Sequence, residues 1–307
     1  MKRGETLKNI SLIKNEARAA LKGHWGIAIG VFLLMLVING ALNMVAPFDA
    51  TTESTGNTIL SFMSVLVTIF VSIPLTTGFQ WFYLSLFDGE SLSVKKMFSA
   101  FGKGFYLKVI WANILVGIMV FIWTLPAVLI GILVVILGMT EVMSLWLLII
   151  PIILLILPIM KAYSYTQTFF LIKDNPTLSA WDAIKTSKEI MSGKRMKLFL
   201  TELSFIGWMI LPLVIGLYGA WLMFSAFISN TGTSAVGFGI GILFIGLAFF
   251  IGMIVCIYLA PYYQTTVASF YRMLQPKEVI VEEVIIENDS YVEEVSTLDN
   301  NTDETNR

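Results

Sequence analysis

Long apolar runs separated by short polar segments set the hydrophobic pattern of this chain. A helix needs about 20 mostly apolar residues to cross about 30 Å of hydrocarbon. Six runs are long enough, and they cover residues 25–46, 58–86, 109–137, 145–172, 198–227 and 235–263. The pattern therefore predicts an all-α, polytopic membrane bundle, in which residues 25–275 form six transmembrane helices arranged as three hairpins.

The segment before the first run, residues 1–24, has a helical pattern of a different kind. One face collects Leu7, Ile10, Ile13, Ala17 and Leu21, and basic residues lie around the other faces. A basic amphipathic helix binds in the headgroup plane of an anionic leaflet. We expect this cytoplasmic helix to contact the membrane interface. The alternative is a helix whose apolar stripe packs against the bundle.

The composition excludes most classes of soluble protein. Of the 307 residues, 57% are apolar and 13% are charged, against about 45–50% and about 25% in a soluble domain. These fractions indicate an integral membrane protein rather than a soluble enzyme or a nucleic-acid binder. One Cys and one His are too few for a disulfide framework, a metal cluster or a Cys–His nucleophile, and we expect no cofactor.

The basic residues predict which ends of the helices face the cytoplasm. Lys and Arg occur before the first run, between the second and third, between the fourth and fifth, and after the sixth. The alternate loops, residues 47–57, 138–144 and 228–234, contain neither. Because cytoplasmic loops carry the excess of Lys and Arg, we expect a multi-pass protein of the cell membrane with both termini in the cytoplasm.

Two of the predicted cytoplasmic loops resemble each other. Residues 88–93 (DGESLS) and 174–179 (DNPTLS) share an Asp, a turn residue, a Ser or Thr, a Leu and a Ser, at a spacing of 86 residues. A short helix is predicted after each loop, over residues 94–101 and 180–192. In the second, the Ser-x-x-Asp pattern from Ser179 predicts a capping box.

A glycine is expected to end each of three connecting helices. Gly23, Gly102 and Gly193 precede the first, third and fifth runs, each beside a Lys or His. Glycine readily adopts the left-handed conformation that ends a helix. The repeated unit is thus a surface helix, an outward helix and an inward helix, used three times in one orientation, unlike the inverted repeats of many transporters.

Four segments resemble a known family. They are residues 13–25 (IKNEARAALKGHW), 171–193 (LIKDNPTLSAWDAIKTSKEIMSG), 198–208 (LFLTELSFIGW) and 261–274 (PYYQTTVASFYRML). They are similar to the bacterial integral-membrane family known as domain of unknown function 975, and the resemblance covers residues 10–275. It implies a multispanning helical membrane protein, and it assigns no activity and no functional residues.

The C-terminal tail, residues 276–307, differs in charge from the rest of the chain. It contains ten acidic and two basic residues, a composition typical of disordered segments. We expect a largely disordered cytoplasmic tail. It either solubilises the protein, folds back on the basic cytoplasmic helices or binds a partner.

Two ionisable residues lie inside predicted membrane helices. Lys161 is in the fourth helix and Glu202 in the fifth, both toward the cytoplasmic half. A charge in hydrocarbon is costly and is usually paired or exposed to water. One hypothesis is a Lys161–Glu202 pair that lines a polar cavity. The other is that both side chains reach the nearby headgroup region.

Each even-numbered helix carries a polar and aromatic segment in its inner third. These segments contain Gln80, Gln167 and Gln264, each beside hydroxyl and aromatic side chains. Three such segments at one depth predict a vestibule that binds a lipid headgroup or an amphipathic peptide. The alternative is an aromatic belt with ordinary hydrogen bonds between helices.

Asp88 and Asp174 recur in the two similar loops and form a candidate carboxylate pair. The interpretation that we prefer is that each side chain stabilises its own turn, since Asp commonly bonds to the backbone two residues on.

These observations favour a protein that is not an enzyme. The chain has no phosphate-binding loop and no zinc-protease or serine-hydrolase motif. We expect a module that binds lipids of the anionic inner leaflet, a peptide or another membrane protein at its cytoplasmic face, and no nucleic acid. A transporter or exporter component is the first alternative. A lipid-modifying enzyme that uses Asp88, Asp174 or His24 is the second.

Overall fold

The computed structural model describes residues 3–45, 55–138, 149–229 and 234–275. Those residues form helices joined by turns and short irregular segments, with no strand among them. The α-helices are α1 (Arg3–Leu21), α2 (Trp25–Val45), α3 (Thr55–Val67), α4 (Ile73–Phe87), α5 (Tyr106–Gly138), α6 (Ile149–Leu154), α7 (Ile156–Tyr165), α8 (Thr168–Asp174), α9 (Ala180–Ile190), α10 (Arg195–Ile206), α11 (Ile210–Ser229) and α12 (Ser234–Leu274). A π-helical stretch, Thr68–Ser72, joins α3 to α4, and two 3₁₀ helices cover Val94–Phe101 and Gly207–Met209.

Six helical stretches are long and apolar enough to cross a membrane. They are Trp25–Met44, Ile59–Phe87, Tyr106–Leu137, Ile149–Asp174, Arg195–Ile228 and Ala235–Leu274. The protein is a multi-pass integral membrane protein with an all-α fold, as the apolar pattern predicts. Only 11–22% of the residues in the apolar windows of these stretches are buried inside the protein, so most of their side chains are left for lipid to cover.

The last of these helices extends well beyond the predicted run. α12 continues to Leu274 instead of ending at residue 263. Its 41 residues span about 60 Å at 1.5 Å per residue, about twice the thickness of the hydrocarbon layer. The helix is therefore long enough to leave the bilayer and reach the loops between the spans. The predicted start of the fourth run, residues 145–148, and the tail, residues 276–307, lie outside the described residues.

The buried core lies at one end of the bundle, which we name the connector end. It comprises the loops 88–105 and 174–194, α1, α8 and the last turns of α4 and α12. Large side chains buried there include Trp81, Phe170 and Tyr271, from α4, α8 and α12. The packed part of the protein is thus concentrated where the spans meet the loops.

Glycines end the connecting helices, with one correction to the prediction. Gly23 and Gly193 have φ angles of +88° and +72°, the left-handed conformation predicted for them. Gly102 has a φ angle of −64°, and Gly104, with a φ angle of +92°, adopts the left-handed conformation instead. The segment Val94–Phe101 is a 3₁₀ helix that passes into an extended residue at Gly102, so the tight turn falls at the next glycine.

Serine caps begin both loop helices. The Oγ of Ser179 accepts a hydrogen bond from the Asp182 backbone N–H at 3.1 Å and donates to Asp182 Oδ2 at 2.6 Å. The predicted N-cap is confirmed, although the reciprocal bond joins the two side chains instead of reaching the Ser179 backbone. In the similar loop, Ser93 Oγ accepts from the Lys95 backbone N–H at 3.3 Å.

The apolar stripe of α1 packs against the rest of the protein. Ile13 is 1% exposed and belongs to a buried cluster with Leu198 and Phe270, while Ala17 and Leu21 are fully buried. Of the two expectations for this helix, the structure therefore agrees with packing of the apolar stripe against the bundle. The reason is that the ends of α10 and α12 present an apolar surface to α1.

Candidate functional site

A cavity of about 320 Å³ lies between α4, α5, α7, α8, α10 and α12. Its polar lining comes from Gln80, Glu202 and Gln264, together with Thr166 and Tyr263. Three of the candidate residues identified in the sequence therefore face one space. They are brought together from α4, α10 and α12, which are far apart in the chain.

Glu202 is held in this cavity by two tyrosines. The hydroxyl of Tyr263 donates to Glu202 Oε1 at 2.7 Å, and the hydroxyl of Tyr163 donates to Oε2. Across the described ranges, no Lys, Arg or His nitrogen lies within 4.0 Å of the Glu202 carboxylate. Glu202 is thus an ionisable group inside a membrane span that has hydroxyl donors but no cation beside it.

Lys161 is not the partner of Glu202. Its Nζ lies 4.0 Å from the centre of the Trp123 ring, on α5, a cation–π contact that stabilises an ammonium away from water. This arrangement corrects the hypothesis of a Lys161–Glu202 pair. Lys161 is also absent from the residues that line the cavity.

The amides of Gln80 and Gln264 are available to a ligand. Both side chains line the cavity, and neither has a hydrogen-bond partner in the part of the chain that the structure describes. Both side chains are partly buried, and a polar group without a partner in an apolar environment carries a free-energy cost that grows with its burial. A ligand that bonds to these amides removes that cost.

Gln167 is buried but does not line the cavity. It lies at a break in the span, since α7 ends at Tyr165 and α8 begins at Thr168. Its Nε2 donates to Thr166 Oγ1 at 3.1 Å, whereas its Oε1 has no partner among the described residues. The break removes Gln167 from the helical register that would place it beside Gln80 and Gln264, which corrects the prediction for this residue.

Asp88 and Asp174 meet at the connector end through one arginine. Arg272 Nη2 donates to Asp88 Oδ2 at 2.6 Å, and Arg272 Nη1 donates to Asp174 Oδ2 at 2.5 Å. Tyr271 donates its hydroxyl to the same Asp174 oxygen at 2.7 Å. This corrects the preferred interpretation, in which each carboxylate bonds to the backbone of its own turn, because Arg272 binds both carboxylates.

A second group of charges lies next to this one. Glu90 pairs with Lys96 at 2.5 Å and with Lys173 at 3.6 Å. Lys173 also donates to Ser85 Oγ at 2.8 Å. The hydrogen bond from Lys96 is the main reason that the pKa of Glu90 falls to about 2, with smaller help from Ser85 and Lys173 against the opposing effect of burial.

A spacing shared by two of the spans points to Arg272. Asp88 follows Gln80 by eight residues, and Arg272 follows Gln264 by the same interval. Two even-numbered spans thus carry a Gln facing the cavity and, about two turns later, a charged residue of the connector end. Tyr163 and Tyr263 belong to the polar and aromatic segments of the fourth and sixth spans. Their bonds to Glu202 were not predictable, because aromatic residues are common at this depth of any span.

The remaining candidates in the chain add no site. Among the described residues, no three His, Cys, Asp or Glu side chains are grouped so that they could hold a metal ion. His24 is exposed. Cys256, which a mid-span position suggests is buried, is exposed and lines an apolar groove with Pro212 and Gly252.

Comparison with known proteins identifies the family and goes no further. The family described as "Protein of unknown function (DUF975)" matches residues 7–278. No curated protein and no solved structure matches the chain. Since the match covers most of the sequence, as the resemblance of its four segments predicted, the chain belongs to the DUF975 family of integral membrane proteins.

Proposed function

We propose that this protein is a non-enzymatic membrane module that binds a lipid through the cavity at its connector end. The observation that carries the proposal is the set of polar groups that line that cavity. The Gln80 and Gln264 amides have no hydrogen-bond partner among the described residues, and the Glu202 carboxylate has tyrosine donors but no cation within 4.0 Å among them. A volume of about 320 Å³ is at the small end of ligand sites, which measure about 300–1,000 Å³. That volume fits a lipid headgroup and not a whole lipid.

The proposal includes the orientation of the protein in the cell membrane. Its support is the distribution of Lys and Arg, which lie on the connector side of the spans and are absent from residues 47–57, 138–144 and 228–234. Cytoplasmic loops carry such an excess, so the connector end and both termini face the cytoplasm.

Cysteine labelling in intact cells tests this orientation. In a Cys256→Ser background, a membrane-impermeant maleimide should label Thr52→Cys directly and Ser296→Cys only after the cells are permeabilised. The reverse pattern would overturn the proposed orientation.

The absence of catalysis is also part of the proposal. Asp88 and Asp174, the acids that a surface enzyme would use, are engaged by Arg272. The cavity supplies a single carboxylate among amides and hydroxyls, whereas acid–base and nucleophilic catalysis depend on cooperating groups. Substrate turnover by the purified protein that is lost in Asp88→Asn or Asp174→Asn would contradict this.

Native mass spectrometry of the full-length protein, extracted in mild detergent, tests binding in the cavity. We expect a retained lipid in the wild-type protein and a weaker signal in Gln80→Leu and Gln264→Leu. Gln275→Leu is the matched control, because Gln275 directly follows α12 and does not line the cavity. Wild-type protein without lipid would overturn the proposal and favour the transporter alternative, and a retained peptide would replace the lipid as ligand.

A further inference from the structure

We infer that the ligand of the cavity carries a primary ammonium group, which binds to the Glu202 carboxylate. The inference rests on the proposed function and names the chemistry of its ligand. Its starting point is that Glu202 has two tyrosine donors and no cation within 4.0 Å in the described part of the chain. An ionisable side chain inside a membrane is normally paired, and the ligand supplies the missing cation.

The nearest candidate cations of the protein are engaged or distant. Lys161 lies over the Trp123 ring. Lys197, five residues before Glu202 on the same helix, donates to Met273 Sδ at 3.2 Å. Arg195 is seven residues before Glu202, which is about 10 Å along the axis. An anionic group in the cavity would be repelled by Glu202, since charge interactions are strong where water is excluded. The negative charge of Glu202 in the cavity therefore favours a cationic ligand.

The groups around Glu202 match an ammonium in particular. An ammonium has three N–H donors and no acceptor, and the cavity offers the carboxylate and the amide oxygens of Gln80 and Gln264 as acceptors. Tyr163 and Tyr263 each bond to a different oxygen of Glu202, so the carboxylate is held in place before a ligand binds. Charge-assisted hydrogen bonds of this kind are about twice as strong as neutral ones.

A neighbouring groove indicates that the ammonium belongs to a phospholipid. The groove measures about 330 Å³ and is lined by apolar residues of α7 and α10, including Ile159, Met160 and Phe199. Tyr163 lines this groove as well as bonding to Glu202. Arg195 also lines it, and its buried Nε has no partner among the described residues.

An aminophospholipid has groups that suit both the polar cavity and the apolar groove. Its acyl chain would lie in the apolar groove, its phosphate would bind Arg195, and its ammonium would reach Glu202 past Tyr163. A free amine would use the cavity alone. The two sources therefore differ in whether binding depends on Arg195.

The test is a competition between two lipids that differ by one N-acetyl group, which converts the ammonium of the headgroup into a neutral amide. Full-length protein is mixed with equal amounts of phosphatidylethanolamine and N-acetyl-phosphatidylethanolamine of matched chains, and the bound lipids are counted by native mass spectrometry. We expect the wild-type protein to prefer the free amine by about tenfold or more. Glu202→Gln should remove the preference, and Glu189→Gln, at an exposed position on α9, should keep it.

Two further arms keep the test decisive. Gln80→Leu removes an amide without touching the carboxylate, so a reduced preference there supports the inference even if Glu202→Gln folds poorly. Arg195→Gln should weaken both lipids. Displacement of the lipid by excess free ethanolamine, with no effect of Arg195→Gln, would assign the ammonium to a soluble amine instead.

The outcomes separate the inference from the proposed function. Equal retention of the two lipids by the wild-type protein, or a preference that survives in Glu202→Gln, overturns the ammonium inference and leaves lipid binding intact. Failure to retain either lipid, in every variant, overturns the proposed function itself.

Discussion

Arg272 binds both carboxylate oxygens of Asp88, with Nε 2.8 Å from Oδ1 and Nη2 2.6 Å from Oδ2, although 184 residues separate them in the chain. The same guanidinium also bonds to both oxygens of Asp174. Asp88 directly follows the second span, Asp174 is the last residue of the fourth, and Arg272 lies in the last turn of the sixth. One arginine therefore ties together the ends of the three even-numbered spans.

Replacing Arg272 by Ala should lower the stability of the bundle, because two carboxylates would remain close together without a cation. The side chains are 31%, 20% and 21% exposed, so the loss should lie between the about 1 kcal/mol of an exposed pair and the about 3–5 kcal/mol of a buried one. The measurement is the unfolding midpoint of the purified protein in an SDS titration.

A rescue variant distinguishes charge repulsion from lost packing. Asp88→Asn and Asp174→Asn, introduced together with Arg272→Ala, should restore part of the loss, since interacting residues are not additive. A triple variant no more stable than Arg272→Ala alone would show that the carboxylates are not the cause.

The spans were predictable from the sequence because their signal is local. A run of about 20 apolar residues is sufficient to define a membrane helix, and the Asp-to-Ser loops with their serine caps repeat within short windows. The same local pattern identified Gln80, Gln264 and Glu202 as polar groups in spans. It did not reveal that they share a cavity, which depends on how α4, α10 and α12 pack.

The errors in the prediction have the same physical origin. The apolar stripe of α1 looks the same whether lipid or protein covers it, because the hydrophobic effect is not directional. The partners of Lys161 and Arg272 come from other helices, so spacing along the chain could not select them. Gln167 does not lie where a continuous helix would place it, because the helix breaks beside it. Hydropathy does not reveal such a local irregularity.

Gly78 is predicted to be irreplaceable at the contact between α4 and the 3₁₀ helix. A Cβ at this position would overlap the backbone carbonyl of Met97, and backbone cannot move aside as a side chain can. Gly78→Ala should therefore destabilise the protein by at least about 1–3 kcal/mol. Gly117→Ala in α5 is the control, since nothing lies within 4 Å of its new Cβ. Equal midpoints for the two variants in SDS would contradict the observed packing.

The docking of α1 can be tested with two neighbouring residues. Ile13 is 1% exposed and Leu12 is 55% exposed. Ile13→Ala should cost about 2–5 kcal/mol, whereas Leu12→Ala should stay within about 0.5 kcal/mol. Limited proteolysis near α1 should accelerate only in Ile13→Ala. If Leu12→Ala were the more damaging change, the stripe would face lipid instead of the bundle.

The ion pairs of Glu90 predict a pH dependence with a definite sign. The pKa of this carboxyl is lowered from 4.5 to about 2, chiefly by the Lys96 hydrogen bond. A folded-state pKa below the unfolded one contributes stability above about pH 4.5 that is lost as the pH falls toward 2. Glu90 is 45% exposed, so solvent screening keeps the contribution under about 1 kcal/mol.

The measurement is the difference in thermal midpoint between the wild-type protein and Glu90→Gln, followed from pH 6 down to the lowest pH at which both remain folded. Other acids titrate in both proteins and cancel in this difference. We expect the thermal midpoint of the wild-type protein to exceed that of Glu90→Gln above about pH 4.5, and this difference to decrease below that pH. Raising the salt concentration should decrease the same difference in thermal midpoint at neutral pH, because exposed charges are screened. A midpoint difference that is constant with pH would mean that Lys96 and Lys173 do not stabilise the ionised form of Glu90.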